Sequence, residues 1–389
     1  MKITDIVCHV LMIPDVQEGD SDSAQDNFVV EIHTDEGIVG IGESDTNPWA
    51  AKAFIESPTT HTMGIGIREK LMGRDPMDIE SLWDMMYVGT MMPGRRGLGV
   101  SAIGAIDMAL WDIKGKALGQ PCWMLLGDAR QETIRPYASL QPDGGDLDTY
   151  TKSLRDWVVR AKEYGFTAAK LEVTLGGPYA HGGLDAPEEK TVDVVAACRE
   201  AVGPDFTIMV DVQYAWQDAR QAMRTLKHLE PLDLFFLETP LSIDDLEGYA
   251  YLHDNLDIRI AAGEWQTTRF EFIDLMDRGK IDVAQPDVGR VGGLTEAQRV
   301  CRLAEDRGRL IVPHCWKSGI GIAASAHMAF NTANCPYIEF LPAELCHSVM
   351  RKELVADEIS IEDGVIGLPT KPGLGVELNR ECLERLKVE

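Results

Sequence analysis

The sequence predicts an α/β chain: a barrel of parallel strands alternating with helices, accompanied by a smaller α+β domain. Three observations predict it. Asp211, Glu238 and Glu264 each close a short apolar run (FTIMVD, LFFLE, RIAAGE) and lie 27 and 26 residues apart, about one strand-helix-strand unit. From Ile134 onward, strand-like runs alternate with helical ones. Residues 1–120 show runs of strands followed by runs of helices, the pattern of an α+β unit.

Each element follows in order. Within residues 1–43, ITDIVCHVLMI, NFVVEIHT and GIVGIGE have strand character, with the polar stretch PDVQEGDSDSAQDN after the first and a DEG turn before the last. An antiparallel meander is expected there. From about residue 50 to 120 the pattern is helical, broken at Gly73-Arg74-Asp75-Pro76, and its last run, VSAIGAIDMALWDIKGKALG, stops at Gly119. Then RPYASL precedes TYTKSLRDWVVRAKEYG, TAAKLEV precedes PEEKTVDVVAACREAVG, and TIMVDV precedes ARQAMRTLKHLEP. LFFLET, IRIAAGE, DVAQPD, RLIVPH and YIEF continue the series, mostly with helical segments between. Right-handed connections between parallel strands of this length close eight of them into a barrel. The tail, ISIEDGVIGLPTKPGLGVEL and a short helix, loses the rhythm and is expected to pack back on the first domain. The expected boundaries are 1–130 for the N-terminal part of the smaller domain, 131–354 for the barrel and 355–389 for the returning segment.

Composition narrows the function. A net charge of −26 argues against nucleic acid or an anionic membrane as partner. The 8 cysteines form no CxxC pair and several lie in apolar runs, so buried free thiols in a reducing compartment are expected. Residues 1–13 carry Asp5 and His9 with no cleavage site after them, and read as a strand rather than a signal peptide. The apolar tract at 97–113 carries Asp107 and Asp112 and is too short and too charged to span a membrane. A cytoplasmic enzyme is expected.

In a parallel barrel the C-terminal strand ends converge on one rim, so the three acids meet at a point and call for a cation. The same interval places Lys170, Asp287, His314 and Glu339 at further strand ends. An imidazole beside a carboxylate can have one nitrogen oriented by it and the other aimed at a substrate, which makes His314 the candidate base.

GIVGIGE, the long motif GRRGLGVSAIGAIDMALWDIKGKALGQP, Lys170, the acid trio, and QPDVGRVGG and PHCWKSGIG with Asp287 and His314 carry a resemblance that runs nearly the whole chain. It resembles the enolase superfamily, and within it the mandelate racemase-like subgroup. The resemblance implies a modified TIM-type (β/α)7β barrel with an α+β capping domain formed by the N-terminal region and the C-terminal tail. It implies one Mg²⁺ on Asp211, Glu238 and Glu264, and abstraction of a proton α to a carboxylate to give a metal-stabilised enediolate. The physical need is plain: such a carbon acid is too weak to yield its proton unless the developing second negative charge is neutralised, and a hard cation with oxygen ligands does this. Three acids and one Mg²⁺ leave a net negative site, and Lys170 is the expected source of further positive charge. A homo-oligomer is the family's common state.

One departure bears on the reaction. Where racemases of the subgroup end the second barrel strand in Lys-x-Lys, this chain has Lys170-Leu171-Glu172. Glu172 either serves as a second acid/base, its pKa raised by nearby acids, or binds substrate hydroxyls. With the His314–Asp287 dyad as the only base/acid, the reaction that suits the site is syn elimination of water from a sugar acid, giving a 2-keto-3-deoxy acid, a hydro-lyase activity. Gln213 stands where other dehydratases of the superfamily carry an acid histidine. The alternatives are a racemase or epimerase of a 2-hydroxy acid, with His314 and Glu172 on opposite faces, and a catalytically silent binding protein. Glu339, protonated, is expected to donate to the enediolate oxygen. Gln213, Trp316 and Lys317 at the rim, near Tyr214 and Gln285, are expected to contact substrate. His61 and Trp49 are expected to reach in from capping loops at 14–27 and 45–65. Without an arginine-rich segment, a monoacid such as an aldonate is favoured over a diacid.

Overall fold

The computed structural model describes residues 1–17, 23–181, 184 and 186–388. Strands β1 (Ile3–Met12), β2 (Asp26–Thr34) and β3 (Val39–Ser44) form an antiparallel meander in the order β1-β2-β3. The turn before β3 needs the left-handed backbone of Gly37, at φ 77°.

One face of this sheet lies on the helix Leu98–Leu118, which is buried along most of its length. The two backbones approach so closely that a Cβ on Gly42 would stand 2.0 Å from the Ala105 carbonyl oxygen. The two aspartates of this helix explain how a buried tract can carry charge. Asp112 accepts hydrogen bonds from Ile41 N (3.0 Å) and Leu374 N (2.9 Å) and binds Lys116 Nζ (2.6 Å), joining sheet, helix and C-terminal tail. Asp107 accepts from Thr295 N (2.9 Å) and Oγ1 (2.6 Å), joining the same helix to the barrel. Burial pushes the Asp107 carboxyl up to about 7. Among the described residues no helix is long and apolar enough to cross a membrane.

The barrel strands are β4 (Thr133–Leu140), β5 (Ala168–Glu172), β6 (Thr207–Asp211), β7 (Leu234–Glu238), β8 (Ile260–Ala262), β9 (Val283–Ala284), β10 (Leu310–Ile311) and β11 (Tyr337–Phe340). They run parallel in the order β10-β9-β8-β7-β6-β5-β4-β11. Across the seam between β10 and β11, Ile311 N donates to Asn334 O at 2.9 Å. Helices follow β4 to β10, and after β11 the rhythm ends, as a (β/α)7β barrel requires. Strands β9 and β10 are only two residues long, so Asp287 and His314 lie beyond them in the loops above the rim.

The returning tail adds β12 (Ile366–Gly367), antiparallel to the foot of β4. Its last helix, Arg380–Leu386, reaches the meander: Val388 N donates to Val10 O at 2.9 Å, and Arg380 pairs with Glu31 at 2.6 Å. All 8 cysteines are free.

Alternate residues of a strand share a face, and this builds the site. Tyr137, Ala168, Met209, Phe236, Ala261, Val283, Val312 and Tyr337, about one per barrel strand, form a buried apolar cluster apart from the main core. Two positions further along the chain from seven of these eight stand Ser139, Lys170, Asp211, Glu238, Gln285, His314 and Glu339, and from Ala261 stands Gly263. The apolar layer is the floor, and the next inward layer carries the chemistry.

Candidate active site

Above that layer opens a cavity of about 250 Å³, lined by Ser139, Gln141, Lys170, Glu172, Tyr179, Asp211, Gln213, Tyr214, Glu264, Trp265, Arg290, His314 and Trp316. Glu238, Asp287 and Glu339 are buried directly behind it, in contact with lining residues.

Lys170 is the hub of the inner layer. Its ammonium lies 2.9 Å from Glu238 Oε1 and 2.8 Å from Glu339 Oε1. Burial alone would lower its pKa, but the two carboxylates outweigh burial and hold it well above the ordinary lysine value. Glu339 accepts from Ser139 Oγ at 2.6 Å and from Cys315 N at 2.7 Å. Burial favours its neutral form, yet Lys170 and His314 prevail and hold its pKa below the usual value. The expected role of Glu339 was that of a protonated donor. Here donors face both of its oxygens, the Lys170 ammonium among them, so Glu339 stands as an acceptor.

The three acids of the 27- and 26-residue spacing do converge. Asp211 and Glu238 are register partners on adjacent strands. Glu264 lies two residues beyond β8 and out of phase with the alternation, and the positive φ of Gly263 (133°) redirects the chain there. Asp211 Oδ1 accepts from Gln213 N (2.9 Å) and Thr239 Oγ1 (2.7 Å). Glu238 Oε2 accepts from Gln285 Nε2 at 2.7 Å, and Glu264 Oε1 accepts from the Tyr214 hydroxyl at 2.5 Å. Burial, then repulsion from Glu238, raises Asp211 well above the usual aspartate value, and burial raises Glu238.

Among the described residues no three His, Cys, Asp or Glu side chains stand in a ready-made metal-ligand arrangement. The reason is visible in the bonding: the Glu238 oxygens face Lys170 and Gln285, and the Glu264 oxygens face Tyr214 and His314. The donor set nonetheless fits a hard divalent cation. It consists of carboxylate oxygens from three consecutive strand ends, and mutual repulsion of buried anions is what such a cation relieves.

His314 Nδ1 is 2.8 Å from Asp287 Oδ2, and Nε2 is 3.1 Å from Glu264 Oε2. Burial works against its cation, but Glu339, Glu264 and Asp287 outweigh burial and raise the pKa to about 9. Asp287 is itself held as the N-cap of the helix Val288–Val291, accepting from Arg290 N at 3.0 Å.

The second layer of the wall continues the strand phase: Gln141, Glu172, Gln213, Trp265 and Trp316 all line the cavity. Gln213 and Tyr214 both have positive φ, 42° and 60°. Strain of this kind costs about 1–3 kcal/mol per residue and persists where surrounding structure imposes it. It sets the Tyr214 ring stacked on Trp265 at 4.2 Å, with Tyr179 edge-on to both.

Three expected contacts fall elsewhere. Lys317 is buried, and its ammonium binds Asp26 Oδ1 and Asp45 Oδ1, both at 2.9 Å. It follows Trp316 directly and so turns away from the cavity toward the meander. His61 sits in an exposed turn and accepts from Met63 N at 3.2 Å, and Trp49 lies on the helix Pro48–Glu56. Neither lines the cavity. Of the loop at 14–27, residues 18–22 lie outside the described residues; Ala24 lines a crevice with Gln141 and Trp316 beside the main cavity. The loop at 45–65 contributes Asp45, which pairs with the cavity-lining Arg290.

Sequence reasoning missed Arg290, Tyr179, Trp265, Asp45 and His181, whose Nε2 is 2.7 Å from Glu172 Oε1. Arg290 follows the capping Asp287 by three and Trp265 follows Glu264 by one, so both had a local signal. His181 lies in a glycine-rich loop without periodicity and had none.

Asp45 supports a pH prediction. Burial would raise its carboxyl, but Arg290 and Lys317 outweigh burial and hold it at about 2. An unfolded aspartate titrates near ~3.9. The folded value is depressed, so this stabilisation is complete above about pH 4 and is lost as pH falls toward about 2. Asp45→Asn is expected to flatten the pH dependence of the urea unfolding midpoint in that window; a parallel dependence in both proteins would contradict it.

Comparison with known proteins accounts for almost the whole chain. Residues 4–127 match the mandelate racemase / muconate lactonizing enzyme N-terminal domain, and residues 153–382 match the enolase C-terminal domain-like family. A D-galactonate dehydratase of Cronobacter sakazakii (strain ATCC BAA-894) is 34% identical over 361 residues, 90% of this chain and 88% of that protein. A D-galactarolactone cycloisomerase of Agrobacterium fabrum (strain C58 / ATCC 33970) is 31% identical over 372 residues, 93% of this chain and 91% of that protein. The crystal structure of a racemase from Streptomyces coelicolor A3(2) with bound magnesium superposes with a TM-score of 0.83 at 28% identity, covering 99% of this chain and 100% of that one.

Proposed function

From the premise that this chain belongs to the enolase superfamily, in its mandelate racemase and muconate lactonizing enzyme branch, we propose that it is a Mg²⁺-dependent hydro-lyase acting on a sugar acid. The observation that carries this reading is the His314–Asp287 pair at 2.8 Å, with the imidazole at the cavity beside Asp211 and Glu264.

Asp211, Glu238 and Glu264 would hold Mg²⁺, which supplies positive charge where negative charge develops on the substrate carboxylate. In its neutral form, with Nδ1 held by Asp287, His314 accepts the α-proton at Nε2 as the α-C–H bond breaks. Asp287 fixes the ring through Nδ1, and the surrounding carboxylates stabilise the imidazolium that results. The same imidazolium then returns a proton to the departing β-hydroxyl, so that one C–O bond breaks, a C=C bond forms and water leaves. Tautomerisation of the enol gives the 2-keto-3-deoxy acid. Gln213, at the position of an acid histidine in other dehydratases, cannot donate this proton, which leaves His314 to act in both steps. The dehydratase among the relatives supports the same chemistry.

One observation favours a second reading, epimerisation of a 2-hydroxy acid. Glu172 lines the cavity from β5, three strands from His314 by the shorter way round the barrel, and so reaches the substrate from another side.

A panel of mono- and diacid sugars, incubated with the enzyme and Mg²⁺ in heavy water, separates the readings. A semicarbazide-reactive keto acid is the expected result. Epimer formation and α-deuteration without keto acid would replace dehydration by the second reading, and no exchange with any acid would leave a binding protein.

A further inference from the structure

Glu172 occupies the position of the second lysine in the Lys-x-Lys pair, and its surroundings are specific. The carboxylate is buried yet lines the cavity, and Oε1 lies 2.7 Å from His181 Nε2. The His181 ring is buried too, with Tyr150 set against it edge to face at 5.4 Å. The Tyr150 hydroxyl donates to Glu172 O at 2.9 Å and accepts from Thr174 N at 3.0 Å. One tyrosine therefore fixes both the strand end that carries Glu172 and the loop histidine that grips it.

The neighbouring wall is made of neutral hydrogen-bonding groups, Ser139, Gln141 and Gln213, the last accepting from Thr174 Oγ1 at 3.1 Å. Among the described lining residues the lysine and arginine are both committed: Lys170 to Glu238 and Glu339, Arg290 to Asp45. Among the described residues this wall thus offers a carboxylate to accept from hydroxyls, amides to bond them, and no lysine or arginine left over for a second anionic group. A carboxylate held against the cavity also repels a like charge, which is discrimination by an unfavourable contact with the wrong ligand.

Resting on the sugar-acid reading above, we propose that His181 is a positioning residue. It holds Glu172 as the acceptor for a hydroxyl of the substrate chain, and the pair makes the site selective for a monoacid over a diacid of equal length and configuration.

The test compares α-proton exchange and turnover of matched aldonates and aldarates by the Mg²⁺-loaded enzyme and its variants. The wild type should favour the monoacid at least tenfold in kcat/KM, and Glu172→Gln should narrow that preference. His181→Phe fills the ring's space without a hydrogen-bonding nitrogen, and should raise the monoacid KM about tenfold or more with a smaller change in kcat. His181→Gln can donate an amide N–H to Glu172 and should recover most of the affinity, a rescue that a purely structural role would not give. Equal or better use of diacids by the wild type overturns the selectivity. A His181→Gln enzyme as impaired as His181→Phe overturns the positioning role. Should His181→Phe fail to fold, Glu172→Gln and His181→Gln still decide the matter. Exchange without monoacid preference sinks this inference alone, whereas no exchange with any acid sinks the hydro-lyase reading along with it.

Discussion

His314→Asn is expected to lower turnover and α-proton exchange by about 10³–10⁴-fold, near the upper end of what one general base contributes, while leaving Mg²⁺ binding intact. The asparagine amide can still donate to Asp287 Oδ2, while Asp287 Oδ1 keeps capping Val288–Val291 by accepting from Arg290 N, so the loop should keep its shape. What vanishes is the imidazole nitrogen that faces the cavity beside Glu264. Heavy-water exchange by proton NMR reads the chemistry, and calorimetric titration with Mg²⁺ reads the ion site. Activity within tenfold of the wild type would sink the assignment of His314 as base.

Lys170→Met should fail differently, through both fold and function. The thioether keeps much of the bulk of the lysine stem but removes the ammonium that faces Glu238, Glu339 and the Tyr137 ring, the two carboxylates being fully buried. Deleting one partner of a buried ion pair costs about 3–5 kcal/mol because the other charge is left without compensation. In the wild type the Glu339 carboxyl is held below its usual value by this lysine, so the variant's Glu339 must titrate at higher pH. The loss in urea stability should therefore be largest above neutrality and shrink toward pH 5, as the orphaned carboxylates protonate. A deficit that is independent of pH would mean that lost packing, not lost charge, is responsible.

Much of the site was legible because a barrel repeats one unit, and the repeat brings every strand's C-terminal end to the same rim. Asp211 and Glu238 are register partners, and Lys170, His314 and Glu339 share their inward phase two residues above the apolar floor. Glu264 shows the limit of that logic: its spacing was right, but it reaches the centre through an irregular backbone at Gly263 and not through strand phase. Lys317 shows what the phase decides: Trp316, two residues after His314, takes the cavity, while Lys317, out of phase, binds Asp26 of the meander.

The hydrogen-bond partners of Glu339 were hidden for a different reason. Its donors are Ser139, Lys170 and Cys315, from β4, β5 and the loop after β10, and nothing local in YIEF announces them. Likewise the grip of His181 on Glu172 depends on a loop that passes Tyr150, a residue of the preceding helix.

The sequence by itself determined which residue types stand on the rim, because period-2 alternation and a repeat of about 25 residues are written locally along the chain. Only the tertiary structure decided which charge faces which, and so which acid is an anion, which histidine is gripped and which lysine is unavailable. Electrostatic interaction falls off with distance and is strongest out of water, so a buried group's state is set by neighbours a few ångströms away that lie tens to hundreds of residues off in sequence.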